Sequence, residues 1–184
     1  MQSTRRIVLA AGLGLMAGLG PLAAEAASRA GLTADGQRAL QKLEATESKA
    51  RFLARHARAI LVFPHMLKAG FVFGGQTGDG VLLEGGRATG FYNLSGGSWG
   101  LQVGGQTFGF ALFFMTASSL RYLRDSGGFS VGSGPSIVVV NKGGGAELDT
   151  TTITQDVYAI PFNQKGLMAD LTLQGTKITR IHPD

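Results

Sequence analysis

Serine, histidine and the basic side chains are the residues of this chain that could do chemistry, and their spacing separates the candidates. Gly96-Gly97-Ser98-Trp99-Gly100 and Gly128-Phe129-Ser130-Val131-Gly132 both match the G-x-S-x-G nucleophile elbow. An elbow needs a strand, a strained turn and then a helix, so that the hydroxyl stands exposed. The sequence around Ser98 opens a strand instead, and Ser130 follows a helical stretch. A triad in that chain order would also have to end on His182, two residues from the end. The other histidines, His56 and His65, are not at i, i+4 spacing, and no His/Asp/Glu group has ligand spacing, so no metal site is expected. Cysteine is absent, which excludes a thiol nucleophile, a cysteine-zinc site and a disulfide. No phosphate-cradling glycine loop precedes a helix, so no nucleotide cofactor is expected. No pair of side chains proposes itself as acid and base, and the expectation is a non-enzymatic protein without a cofactor.

The basic residues remain. They gather on a stretch that reads as one helix from an N-cap at Thr33 to about Arg58. At 100° per residue Ala39, Leu40, Leu43, Ala50, Leu53, Ala54, Ala57 and Leu61 fall in one apolar stripe. Arg51, Arg55 and Arg58 line one edge of it, and Arg38, Lys42 and Lys49 the other, with Glu44 and Glu47 interrupting the arginine side. Two readings stay open. The helix packs on a sheet with its basic side chains reaching into solvent, or it lies in a lipid interface, inserting Leu40, Leu43 or Phe52. Both hold if it packs on the sheet and shows a basic edge to a membrane. Nucleic acid is disfavoured, because Phe71, Phe73, Phe108, Phe110, Phe113 and Phe114 sit in apolar runs that read as core rather than as exposed stacking platforms.

The element that must position this helix is a glycine-rich sheet. Gly70-Phe-Val-Phe-Gly-Gly-Gln-Thr77 recurs 30 residues later as Gly100-Leu-Gln-Val-Gly-Gly-Gln-Thr107. Apolar residues alternating with glycine read as buried strand closely approached by another backbone or a ligand. The repeat pairs Gln76 with Gln106; they either line a ligand cleft or, the commoner case, are hydrogen-bonded within the sheet. Pro64 is expected to end a short extended segment, Ala59 to Phe63. Strands are expected at Ala69–Gln76, at Val81–Glu84 and Arg87–Asn93 across Gly85-Gly86, and at Ser98–Phe110, with a turn at Gly78-Asp79-Gly80. A helix is expected from Phe113 to Arg124. Further strands are expected at Ser136–Asn141, Glu147–Thr151, Asp156–Phe162, Leu167–Gln174 and Lys177–Ile181, with a turn at Gly143-Gly144-Gly145. The fold class is α+β: an N-terminal amphipathic helix packed on a mostly antiparallel, curved or barrel-like sheet, with one further helix.

Residues 1–26 read as an export signal. Arg5 and Arg6 precede an apolar run, Ile7 to Leu22, and Ala24-Glu25-Ala26 is a small-x-small cleavage site. The arginine pair also fits a twin-arginine signal. Cleavage removes two arginines and one glutamate, taking the net charge from +5 to +4. Residues 27–184 then form one domain, with 44% hydrophobic and only 16% charged residues over the whole chain, which places it among folded proteins. The mild positive balance permits an anionic partner without requiring one.

Ala59-Ile-Leu-Val-Phe-Pro64, Lys68-Ala-Gly-Phe71, Gly74-Gly75, Gly80-Val-Leu82, Gly97-Ser98, Gly100-Leu-Gln102, Phe114-Met115 and Gly166-Leu167-Met168 together resemble the SYLF domain, over about Leu40 to Ile181. The resemblance implies a lipid-binding module. Eukaryotic members are actin-associated at endocytic membranes and bind lipid through a basic N-terminal part; bacterial members are a signal followed by one such domain. Carried over, that basic part corresponds to Lys42, Lys49, Arg51, Arg55, Arg58 and Lys68. An exported chain would not meet actin, so the implied partner is an anionic phospholipid surface, with the protein periplasmic and peripheral on the membrane. The rival expectation is a structural or interaction module of the cell envelope that pairs with a protein partner through exposed sheet edges.

Overall fold

The computed structural model describes residues 28–125, 127–140, 153–163, 173 and 175–184. The expected signal (1–26), the turn at 143–145, the strand at 147–151 and all but one described position of the strand at 167–174 lie outside them, as does the motif at 166–168. Two helices open the described chain, α1 (Arg29–Thr46) and α2 (Ser48–His56). Two long strands follow, β1 (Ala59–Glu84) and β2 (Arg87–Phe114), then α3 (Ala117–Asp125), β3 (Phe129–Ser130), β4 (Ile137–Val139), β5 (Val157–Phe162) and β6 (Thr176–Ile181). The architecture is α+β, with the N-terminal helices on a curled sheet that is antiparallel except where β4 runs parallel to β5.

The expected single N-terminal helix is two. Its cap is Ser28, not Thr33: Ser28 Oγ accepts from Gly31 N at 3.1 Å. Glu47, with φ −122° and ψ 110°, breaks the helix. Thr46 Oγ1 bonds back to the Lys42 carbonyl at 3.0 Å, the competition with backbone that makes a threonine a weak helix-interior residue. Arg51 then takes up orphan carbonyls of α1, its Nε donating to Glu44 O at 2.9 Å and a terminal nitrogen to Ala45 O at 3.3 Å.

The separately expected strands of the first half are one hairpin of 26 and 28 residues. Its turn is Gly85-Gly86, where the sequence places it; φ values of 54° and 80° make a two-residue turn that only glycine occupies without strain. Pro64 does not end a segment. It sits where the register slips between Phe63 and Met66, a bulge that tolerates a residue without an N–H. Gly78-Asp79-Gly80 is not a turn but strand, opposite Leu94, Asn93 and Tyr92. Its glycines serve closeness instead. A Cβ on Gly80 would lie 2.6 Å from the Phe63 ring and one on Gly78 would lie 2.7 Å from the His65 carbonyl, so the two limbs of β1 fold onto each other and the hairpin curls.

The sheet is buried on both sides. One face packs Phe63, Met66, Leu82, Tyr92, Leu94, Phe108, Phe110, Leu112 and Phe114 with Leu120 and Leu123 of α3 and Phe129. The other packs Ile60, Val62, Val81, Leu83, Ala111, Phe113, Tyr158 and Ile160 with Leu32, Leu40, Leu43, Ala50 and Leu53 of α1 and α2. The apolar helical stripe therefore faces the sheet, except that Leu61 belongs to β1. Leu40 and Leu43 are buried there and are not available for insertion into lipid; Phe52 is half-exposed. Phe113 and Phe114 end β2 rather than begin a helix, because their side chains go to opposite sheet faces. The helix starts after Thr116, whose Oγ1 accepts from Ser119 N at 3.2 Å and donates to Asp156 Oδ1 at 2.8 Å. Of the phenylalanines expected as core, Phe108, Phe110, Phe113 and Phe114 are buried; the side chains of Phe71 and Phe73 are outside the described ones.

Candidate functional site: an arginine-rimmed cleft beside the hairpin turn

Neither G-x-S-x-G match forms an elbow. Ser98 lies within β2 opposite Gly74, and Ser130 ends the two-residue β3. The surface that gathers charge is where α2, the end of β1 and α3 meet. Arg58 is its centre. The backbone there is fixed, because Arg58 N donates to Phe114 O at 2.8 Å, while its side chain is exposed.

Two adjoining clefts share Arg58. The first, of about 270 Å³, has an apolar floor of Leu40, Ala54, Ile60 and Leu83 and carries Arg55, Arg58 and Glu44. The second, of about 540 Å³, brings Arg58 of the α2–β1 link together with Arg121 and Arg124 of α3, beside Glu84 and Asp125. Arg124 is ion-paired with Glu84, whose Oε1 also accepts from Thr89 Oγ1. Arg58 and Arg121 have no ion-pair partner among the described residues. Burial raises the Glu44 carboxyl above the usual carboxylate range, with Arg51 pulling it part of the way back. Arg58, without an ion-pair partner among the described residues, thus stands between Arg121 in one cleft and the apolar floor of the other, an arrangement suited to an oxyanion attached to an apolar body.

The six basic residues proposed from sequence divide sharply. Arg55 and Arg58 come together at the first cleft. Arg51 is exposed but its donors are engaged with α1 carbonyls. Lys42 is exposed on α1 and Lys49 half-exposed on α2, away from the cleft-lining set. Lys68 is only 5% exposed and turns into the sheet, so its ammonium is not part of the outer basic surface. Arg121 and Arg124 are not among the six. Their i, i+3 spacing beside Leu120 and Leu123 is a readable sign of a basic helix edge, but only the fold shows that this edge meets Arg58. Gln76 is 3% exposed and neither of its amide atoms has a hydrogen-bond partner among the described residues, contrary to the commoner expectation of a sheet-bonded glutamine. Gln106 is the register partner of Lys68.

No curated protein matches the chain significantly. A family model described as Ysc84, Las17-binding protein actin regulator, matches residues 95–182, from the middle of β2 to the residue after β6. That span holds Arg121 and Arg124 and the strands that close the sheet around the first hairpin. The match, over a little under half of the chain, agrees with the resemblance to the SYLF domain carried by the motifs.

Proposed function

We propose that this chain is a non-enzymatic binding module that associates peripherally with anionic phospholipid through the arginine-rimmed cleft. One observation carries the reading: Arg58 and Arg121, from separate elements and unpaired among the described residues, face one cleft that adjoins the apolar floor of Leu40, Ala54, Ile60 and Leu83. The family's description names a Las17-binding actin regulator; with the signal-like residues 1–26 directing export, the acidic surface this domain would meet is phosphatidylglycerol or cardiolipin on a periplasmic membrane face. Binding is electrostatic first. Each cation near an anionic surface contributes about 1 kcal/mol. Exposed charges are screened over about 8 Å at physiological salt, so the association is reversible and weakened by salt. Of the side chains expected to insert, Leu40 and Leu43 are buried and Phe52 is half-exposed, its ring tilted against His56 with centroids 4.5 Å apart.

The test is co-sedimentation with vesicles of phosphatidylglycerol or cardiolipin against purely zwitterionic ones, at low and high salt. Binding confined to anionic vesicles and reduced by salt is the expected result. Equal binding to both vesicle types, or none, removes the cleft from the account. The envelope-partner reading rests on β4, a three-residue strand at the edge of the sheet among the described residues, with Val138 39% exposed; oligomers that survive high salt and need no lipid would favour it.

A further inference from the structure

Three arginines line the second cleft, but they are not equally open to an incoming anion. Arg58 and Arg121 have no ion-pair partner among the described residues, whereas Arg124 is paired with Glu84, 40 positions away. Glu84 is the last residue of β1, and its register partner across the turn is Arg87. A cation directly opposite would satisfy the carboxylate locally. The carboxylate goes instead to Arg124 of α3, and its Oε1 also accepts from Thr89 Oγ1. The choice of the distant partner puts the negative charge in the cleft.

The pair contributes little to holding the fold. The Arg124 and Glu84 side chains are 41% and 29% exposed, and an ion pair so open to water adds little stability. α3 is held by other contacts: Leu120 and Leu123 are buried in the core, and Thr116 Oγ1 caps the first turn by accepting from Ser119 N. What the pair does is cancel a charge where charge is wanted. The carboxylate takes a terminal nitrogen of Arg124 that would otherwise donate to an oxyanion. Seen from beyond the pair, the two opposite charges nearly cancel. Asp125 is the other carboxylate of this cleft; it is exposed and has no ion-pair partner among the described residues. It lowers the local potential without engaging any one arginine.

We propose, on the reading of this cleft as a surface for anionic phospholipid, that Glu84 is an internal counter-anion that masks Arg124. The cleft then meets the membrane with Arg58 and Arg121 and holds Arg124 in reserve. Glu84 sets the strength of the association without touching the ligand, and loss of its charge adds a third guanidinium to the surface.

The experiment compares the full chain with Glu84→Gln and Asp125→Asn by co-sedimentation with phosphatidylglycerol vesicles. Each variant removes one negative charge from the cleft, and glutamine keeps an amide oxygen for Thr89. Removal of the charge alone gains at most about fivefold in affinity, the result expected for Asp125→Asn. Glu84→Gln also frees the Arg124 donors and should gain at least about tenfold, with little change in melting temperature. A second measurement needs no variant to fold: the arginine Nε–H signals of the nitrogen-labelled parent, titrated with dihexanoyl-phosphatidylglycerol. Those of Arg58 and Arg121 should shift and that of Arg124 should not; in Glu84→Gln all three should shift. Equal gains in the two variants, or an Arg124 signal that moves in the parent together with the other two, overturn the masking role alone. A parent that does not bind these vesicles overturns the reading of the cleft, and the masking role with it.

Discussion

Two places in this domain carry positive charge, and the solvent treats them differently. Around Arg58 the guanidinium groups of Arg55, Arg58 and Arg121 are exposed and stay in contact with water. Inside the curl Lys68 is almost wholly removed from water, and its charge opposes folding. The outer charges can be numerous, weak and salt-sensitive; the inner one, on a residue only 5% exposed, is less open to screening. Sequence distance does not separate the two, since Arg58 and Lys68 are ten residues apart on one strand and its lead-in. The curl separates them.

The largest expected effect breaks the outer half. Changing Arg55, Arg58 and Arg121 together to glutamate removes three cations worth about 1 kcal/mol each at an anionic surface, so vesicle affinity should fall more than about a hundredfold. The melting temperature should hold, because none of the three makes an ion pair among the described residues. Co-sedimentation beside a thermal melt reads both.

Next in size, Gly80→Ala sets a methyl against the Phe63 ring and the Val62 carbonyl, 2.6 and 2.8 Å from where the Cβ would be. Overpacking of this kind costs about 1–3 kcal/mol, visible as a lower urea midpoint. Vesicle binding below the melting point should persist, because the cleft residues lie away from Gly80.

A smaller effect follows from pH. Burial depresses the Lys68 pKa in the fold but not in the unfolded chain. Between the two values the unfolded chain binds more protons, so stability should climb as pH rises through the depressed value toward the usual lysine range. Urea midpoints of Lys68→Met measured over the same alkaline span should lack that climb. Smallest is Glu44, whose carboxyl is raised by burial. Its contribution is present below the usual carboxylate value and lost as pH rises through the raised one. Glu44→Gln should therefore be more stable than the parent at neutral pH and equal to it in acid, and should bind anionic vesicles slightly better, since one negative charge leaves the cleft.

Local chemistry was readable in the sequence where one residue type decides the outcome. Gly85-Gly86 specifies its turn, and the apolar helical stripe specifies which face meets the sheet. The α+β class followed from the order of periodicities. What the sequence did not show arises from contacts between distant segments. Pro64 and Gly78-Asp79-Gly80 look like punctuation, yet each lies inside β1, because a bulge excuses the proline and the folding of the strand onto itself requires the glycines. Arg58 and Arg121 are 63 positions apart, and only the pairing of β1 with β2 brings their elements together. Lys68 reads as one more basic residue following a basic helix; its burial depends on the phase set by the bulge at Phe63, one residue of slip that turns a side chain from one sheet face to the other.

Arg29 opens α1 by donating its N–H to the carbonyl of Asp184 at 3.0 Å, and its Nε to that of Pro183 at 2.7 Å. The first described helix and the last residues of the chain are thus held side by side. The order of segments along the chain is then not what the architecture needs. A circular permutant that links Asp184 to Ser28 by a short glycine-serine segment, and opens the chain at Gly85-Gly86, should keep every described strand pairing except the one flanking that turn. Its new ends would emerge beside the cleft, which makes the hairpin turn a natural point at which to attach a reporter that senses what settles there.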